Sequence, residues 1–479
     1  MNPKIAVPVV VVSVSFMNVM DVTIVNVALP SIGRTFDQAA SPPTAVSVAY
    51  LLSLAVVIPA AGWIGSRVGM KRSLLGAIGL FTAASALCGV APSLAVLVLA
   101  RAMQGVGGGA MLPIGMAMLL RTFSAAERVR VSSMMVIPTA FGPAVGPVIG
   151  GLLVTDLSWR WVFYVNLPIG LAALVFGWWS LVEMRDDAVG AFDTWGFVLA
   201  GTGFASLLLG VTSGAAKGWN SPFIVASLLV GAVLIAITIC VETRVADPLL
   251  ALRLYRNRLF RSGSVAFIAG VASLFGLLFM VPLFLQIGLG RTALQTGVDI
   301  CPEAFGVMVG SQLTSRILYP RLGPRRLVIA GLVGVSSTSL AMTLVGGGSD
   351  VWLIRSLMFC LGMSMGPVYV AAQAAAFATV KSTDMAHAAS LFNSQRQFGT
   401  AVGVALLSTV LSLAGGATAR SDLRPADLSG YHRAFAVAAL FGLGGAVVAT
   451  AISDADAADT IVRRLRKRPQ RDGALCRDL

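Results

Sequence analysis

Apolar residues run along the chain in long stretches separated by short polar breaks. Each stretch is about 18 to 28 residues, and a helix needs roughly 20 to cross the hydrocarbon core of a bilayer. The stretches fall at 5–30, 44–64, 73–91, 93–120, 131–154, 161–182, 195–213, 221–241, 262–288, 296–318, 327–346, 351–379, 388–414 and 432–452. The pattern predicts an all-α membrane protein with about 14 transmembrane helices.

Composition strengthens that reading. Of 479 residues 57% are hydrophobic and 12% charged, and the mean hydropathy is +0.85, outside the range of a soluble domain. The start, Met1 to Lys4 followed by an apolar run, imitates a signal peptide. No small-residue cleavage site precedes Asp21, so the segment reads as an uncleaved first helix.

A net charge of +14 would suggest nucleic acid in a soluble protein. Here the basic residues sit in the gaps between apolar runs, where they orient a membrane protein, so no nucleic-acid partner is expected. Alternate gaps hold Arg67, Lys71 and Arg72; Arg121, Arg128 and Arg130; Arg244, Arg253, Arg256, Arg258 and Arg261; and Arg316, Arg321, Arg325 and Arg326. A last group, Arg463 to Arg468, is expected to meet anionic lipid. The intervening gaps carry scattered charges such as Arg34, Lys217, Arg291, Arg420 and Arg424, so both termini are expected in the cytoplasm.

An internal repeat divides the chain. "SRVGMKR" (Ser66 to Arg72) returns as "PRLGPRR" (Pro320 to Arg326), and the same shift of 254 residues carries Arg101 to Arg355 and Pro113 to Pro367. "FGPAVG" (Phe141 to Gly146) returns as "FGTAVG" (Phe398 to Gly403). Three matches in one order argue for duplication. The shift equals eight helices, so the seventh and eighth read as an insertion between two six-helix halves. The expected layout is 1–190, 191–245 for the inserted pair, 246–455, and a basic tail at 456–479. Paired halves around a midplane site are the build of a secondary transporter.

The motifs carry a resemblance. "MDVTIVNVALP" (Met20 to Pro30), "GWIGSRVGMKR" (Gly62 to Arg72), "RAMQGVGGG" (Arg101 to Gly109), "GPAVGPVIGG" (Gly142 to Gly151) and "WRWVFYVNLPIG" (Trp159 to Gly170) stand in order on successive helices. Together they resemble the fourteen-helix drug:proton antiporters of the major facilitator superfamily, over nearly the whole chain. The resemblance implies a multi-pass protein of a bacterial inner membrane that exports amphipathic or cationic compounds and confers drug resistance. It also implies a cytoplasmic gate motif at Gly62, Arg67, Gly69, Lys71 and Arg72, and an antiporter motif at Gly142, Pro143, Gly146, Pro147, Gly150 and Gly151. The family usually has an aspartate, a member of the gate's charge cluster, where this chain has Ser66.

One carboxylate stands out on physical grounds. Asp21 lies 13 residues from Arg34 and 17 from Lys4, roughly 20 and 25 Å along a helix. An acidic residue there costs about 2.5–3.5 kcal/mol, which a proton or a cationic partner relieves. Asp21 is the expected proton-coupling residue, with Arg101 and Glu303 sharing that role; a carboxylate held permanently for helix contact is the alternative. Depth along the helices matches Asp21 with Arg101, and Glu303 with Arg355 across the cavity. Asp299, nearer the outer face, would attract cations or solvate a helix end.

The glycines of "GPAVGPVIGG" and "GVGGG" also suit close helix contact, and a nucleotide loop is excluded by the missing GK[ST]. Five scattered cysteines and two histidines offer no metal site or disulfide framework. No catalytic cluster suggests an enzyme, and a channel is disfavoured by the paired halves. The expected function is export driven by the proton gradient without a cofactor. Its partners are the lipid bilayer, protons and small-molecule substrates. Export of an endogenous metabolite, lipid or self-made antibiotic is the alternative, and nothing in the residues specifies an accessory efflux partner.

Overall fold

The computed structural model describes residues 2–36, 44–186, 190–245, 248–346, 351–413 and 428–461. These residues form helices and connecting turns, with no strand among them. In hydrocarbon every backbone N–H and C=O needs a partner, and a helix supplies them within one segment.

The first group comprises α1 (Pro3–Thr35), α2 (Ala45–Val68), α3 (Met70–Val90), α4 (Leu94–Thr122), α5 (Arg128–Asp156), α6 (Trp161–Tyr164) and α7 (Asn166–Ser180). A hairpin of α8 (Thr194–Lys217) and α9 (Pro222–Glu242) follows. The second group comprises α10 (Arg258–Leu283), α11 (Ala293–Ile300), α12 (Pro302–Leu313), α13 (Tyr319–Met342), α14 (Val351–Pro367), α15 (Gln373–Phe377), α16 (Met385–Leu413) and α17 (Ser429–Ala449).

Local chemistry sets several of these starts. Asn257 accepts from the amides of Leu259 and Phe260 at 3.0 and 3.2 Å, and Asp193 from Gly196 at 2.8 Å. Each polar side chain satisfies amides that a helix start leaves open. Thr292 and Gln295 form a reciprocal capping box at α11.

Eleven helices among the described residues are long and apolar enough to cross a membrane. Helix does occur at all fourteen predicted stretches, but length and apolarity establish eleven spans, not fourteen. Of the other three, α13 opens with Arg321, Arg325 and Arg326, and the 293–313 stretch is divided at Cys301. Large apolar side chains such as Leu99, Val175, Trp179 and Val447 face outward, as a bilayer solvent requires.

Helices α1 to α7 pack on one another, as do α10 to α17. The groups meet where α16 touches α2 and α4, and where α5 touches α12. Helix α8 lies across the seam, against both α2 and α16. Close approach of α5 to α1 depends on a glycine stripe: a Cβ at Gly142 would meet Val19, at Gly146 Thr23, and at Gly150 Ile24. Gly151 has open space around it and takes no part. The side chains of Pro143 and Pro147 lie outside the described residues.

Residues 456–461 of the expected tail are docked on the bundle. Thr460 is buried and its hydroxyl is 2.8 Å from that of Tyr319. Arg463 to Arg468, Arg420 and Arg424 lie outside the described residues.

Candidate transport site and gate

Asp21 is near the middle of α1 and Arg101 in the second turn of α4, and both are sealed from solvent, with 0% and 1% exposure. Arg101 Nη1 donates to Asp21 Oδ2 at 2.5 Å, the pairing that depth predicts. Two residues that sequence reasoning missed complete the coordination: Gln104 Nε2 and Asn166 Nδ2 each donate to Asp21 Oδ1 at 2.9 Å. Gln104 also accepts from Arg101 Nη1 at 2.6 Å and donates to Ser85 Oγ at 2.7 Å. Its place three residues after Arg101 put it on the same helix face, a signal that was available.

The guanidinium is held from its other side too. Arg101 Nε donates to Val46 O at 3.3 Å, and its carbon lies 4.3 Å from the Tyr50 ring and 5.8 Å from that of Phe163. Such stacking favours a cation away from water. A Cβ at Gly109 would come 2.8 Å or less from Leu54 O, at 2.7 Å, so the glycine run of α4 is what brings Arg101 this close to α2.

The second half corrects one expectation. Arg355 Nε donates to Asp299 Oδ1 at 3.0 Å, and Arg355 does not pair with Glu303. Asp299 and Glu303 are four residues apart, about 6 Å along a helix. Arg355, in the opening turns of α14, is level with the shallower one. Asp299 is therefore neutralised by a protein cation. Glu303 is buried with no ion pair among the described residues.

A cavity of about 40 Å³ opens between the halves, lined by Ser15, Met116, Phe267, Tyr369, Phe392 and Arg396 among others. That is room for a few waters at about 10–15 Å³ each, so a drug-sized molecule requires the helices to part. Arg396 is a lining residue that the sequence reading did not single out.

The basic turns gather at one end of the bundle, and there the halves are tied together. Arg128 Nη1 donates to Phe377 O and, at 2.7 Å, to Ala378 O. Ser390 Oγ donates to Ile58 O and Pro59 O. Gly62 lets α2 meet α16, since a Cβ there would lie 2.8 Å from Ala386 O. Arg121 forms two hydrogen bonds to Asp186, at 3.0 and 2.8 Å, and its Nη2 reaches Thr383 O at 3.5 Å. Asp186 N donates to Ser66 O at 3.4 Å. A carboxylate from the loop after α7 thus stands beside Ser66, where the resemblance leads one to expect an aspartate.

Burial is the largest single influence on Asp186 and opposes its charge, but the hydrogen bonds from Arg121 and Ser66 and the nearby positive charge together outweigh it, and the carboxyl titrates below its ordinary range. Glu127, bonded to Lys4 Nζ at 2.7 Å, is lowered to about 2, chiefly by that bond. Lys71 Nζ donates to Trp178 O at 2.8 Å, Arg72 lies 3.7 Å from Glu183, and Arg67 is exposed.

Two helical groups around a buried charge network and a small central cavity define a membrane transporter. The sequence profile of the Major Facilitator Superfamily matches residues 11–404, and the chain belongs to that superfamily. It is 32% identical over 409 residues to the multidrug resistance protein B homolog of Mycobacterium tuberculosis (strain ATCC 25618 / H37Rv), covering 84% of this chain and 75% of the relative. It is 29% identical over 456 residues to a protein named for multidrug resistance, MdtD, of Klebsiella pneumoniae (strain 342), covering 94% and 95%. Its fold is similar to that of the human organic anion transporter MFSD10, with a TM-score of 0.66, 14% identity, and coverage of 94% and 100%.

Proposed function

We propose that the protein is a proton-driven antiporter that exports amphipathic compounds by alternating access. One observation carries the reading: a fully buried carboxylate, Asp21, held by Arg101, Gln104 and Asn166. A proton arriving at Asp21 removes its charge and releases Arg101, and the network must then rearrange. Loss of that proton restores the pair. Each proton moving inward supplies about 2.3 kcal/mol per 100 mV of membrane potential.

The family membership and the multidrug names of the relatives support export of drugs. In this reading the basic end faces the cytoplasm of a bacterial cell, the charge rule for bacterial membranes being the reason. No cofactor is needed, because the proton gradient is the energy source.

The test uses inverted membrane vesicles containing the protein, a pH-sensitive dye and a panel of amphipathic drugs. Proton release on adding a compound, lost in Asp21→Asn, is the expected result. Coupled export that survives Asp21→Asn overturns the role of Asp21.

A further inference from the structure

The central cavity is lined by a cation that has no ion-pair partner among the described residues. Arg396, on α16, lines the cavity, and no carboxylate among the described residues forms an ion pair with it. Its Nε is buried without a hydrogen-bond partner. Two more polar atoms of the same cavity share that condition, Ser15 Oγ from α1 and Tyr369 Oη between α14 and α15. All three carry a hydrogen to donate.

Buried polar groups are otherwise almost always partnered, and an intramembrane charge is costly. Three donors converging from both halves on one space mark a place where an acceptor belongs. The walls around them are aromatic: the Phe267 and Phe392 rings lie 4.6 Å apart and that of Tyr369 is 5.6 Å from Phe267. The four intramembrane charges of the two networks are already used, Asp21 with Arg101 and Asp299 with Arg355. Glu303 is close enough to act electrostatically on Tyr369 and forms no ion pair with Arg396 among the described residues.

We infer that this cavity, once the helices part to enlarge it, binds amphipathic organic anions, an aromatic body against Phe267 and Phe392 with its carboxylate or similar oxyanion on Arg396, Ser15 and Tyr369. The guanidinium suits such a group because its planar fork of donors matches a carboxylate. A cationic drug would meet an uncompensated like charge in the same space. This site rests on the transporter reading, since it takes the central cavity as the substrate's path.

The test measures binding of three probes with one aromatic body, naphthaleneacetate, naphthaleneacetamide and naphthylmethylammonium, by equilibrium dialysis against the purified protein in lipid nanodiscs. The acetate is expected to bind about tenfold or more tighter than the amide. Arg396→Gln should remove that preference while leaving amide binding in place, and Arg396→Lys should restore part of it. Equal binding of acetate and amide, tightest binding of the ammonium, or an equal loss of all three in Arg396→Gln would each overturn the site. Binding needs no gradient. Selective anion binding without proton-linked movement in vesicles would therefore sink the antiport reading and leave this site standing.

Discussion

Gly69 and Gly323, 254 residues apart, stand at equivalent turns with the same left-handed sense, φ 107° and 75°. Each is followed by a helical run whose first amides meet a carboxylate from the end of its own half. Lys71 N and Arg72 N donate to Glu183 at 2.9 and 3.3 Å, and Arg325 N donates to Asp454 at 2.9 Å. The two copies of the repeated segment thus share a backbone turn and an anion at a helix start, where the dipole favours negative charge.

The first prediction follows from that geometry. Alanine at either glycine, where φ is positive and ψ extended, takes on backbone strain of about 1–3 kcal/mol and sets its Cβ 2.5 Å from Glu183 Oε1 or 2.8 Å from Asp454 Oδ1. Gly69→Ala and Gly323→Ala should each lower the Tm in detergent. Gly76→Ala, with nothing within 4 Å, should leave it unchanged or raise it.

The buried network separates two roles of Asp21. Asp21→Asn leaves Arg101 charged and enclosed, and breaking a buried pair costs about 3–5 kcal/mol. The double variant Asp21→Asn with Arg101→Gln should recover much of that stability and still fail to move protons. Recovery of transport together with stability in the double variant would make Asp21 a structural residue. Thermal denaturation and the vesicle dye assay read the two effects independently.

Much of this was legible in the residues, and the limits have physical causes. Apolar length predicted where helices lie, and depth along two helices paired Asp21 with Arg101, because rise per residue is constant. The same ruler failed for Glu303 and Arg355, where a one-turn error exchanges Asp299 for Glu303. Asn166 and Asp186 were missed because a helix junction and a loop bring them to their partners, and apolar periodicity carries no information about either. Arg396 was passed over because no motif marks it; its importance lies in a missing partner, which only three dimensions reveal.

The corrected pairing can be tested by comparing two acids. Asp299 is bonded to Arg355, whereas Glu303 has no cation to lose. Asp299→Asn should reduce thermal stability, by less than Asp21→Asn because Arg355 is 29% exposed and solvent can take over part of its charge. Glu303→Gln should be neutral or stabilising for the fold, since it removes a buried ionisable group that no ion pair offsets. A larger loss for Glu303→Gln than for Asp299→Asn would restore the pairing that depth alone suggested.

Asp186 should act as the latch that the usual aspartate supplies elsewhere. Its two bonds to Arg121 hold that side chain beside Thr383 of the other half, and hydrogen bonds to charged groups are worth about 1.5–3 kcal/mol each. Asp186→Ala should therefore shift the basic end toward open by about tenfold or more, read as a longer distance between spin labels at Ala126 and Lys381. Ser66→Asp in that background should restore closure, because it puts a carboxylate back within the same cluster. The sign with pH is fixed by the lowered carboxyl: a depressed group contributes above its ordinary value and loses that contribution only as pH falls through the lowered one. Between about pH 5 and 8 the label distance of the unmodified latch should then stay constant. A latch that opened in this window would make Asp186 itself a proton sensor; constancy leaves proton sensing to the buried network around Asp21.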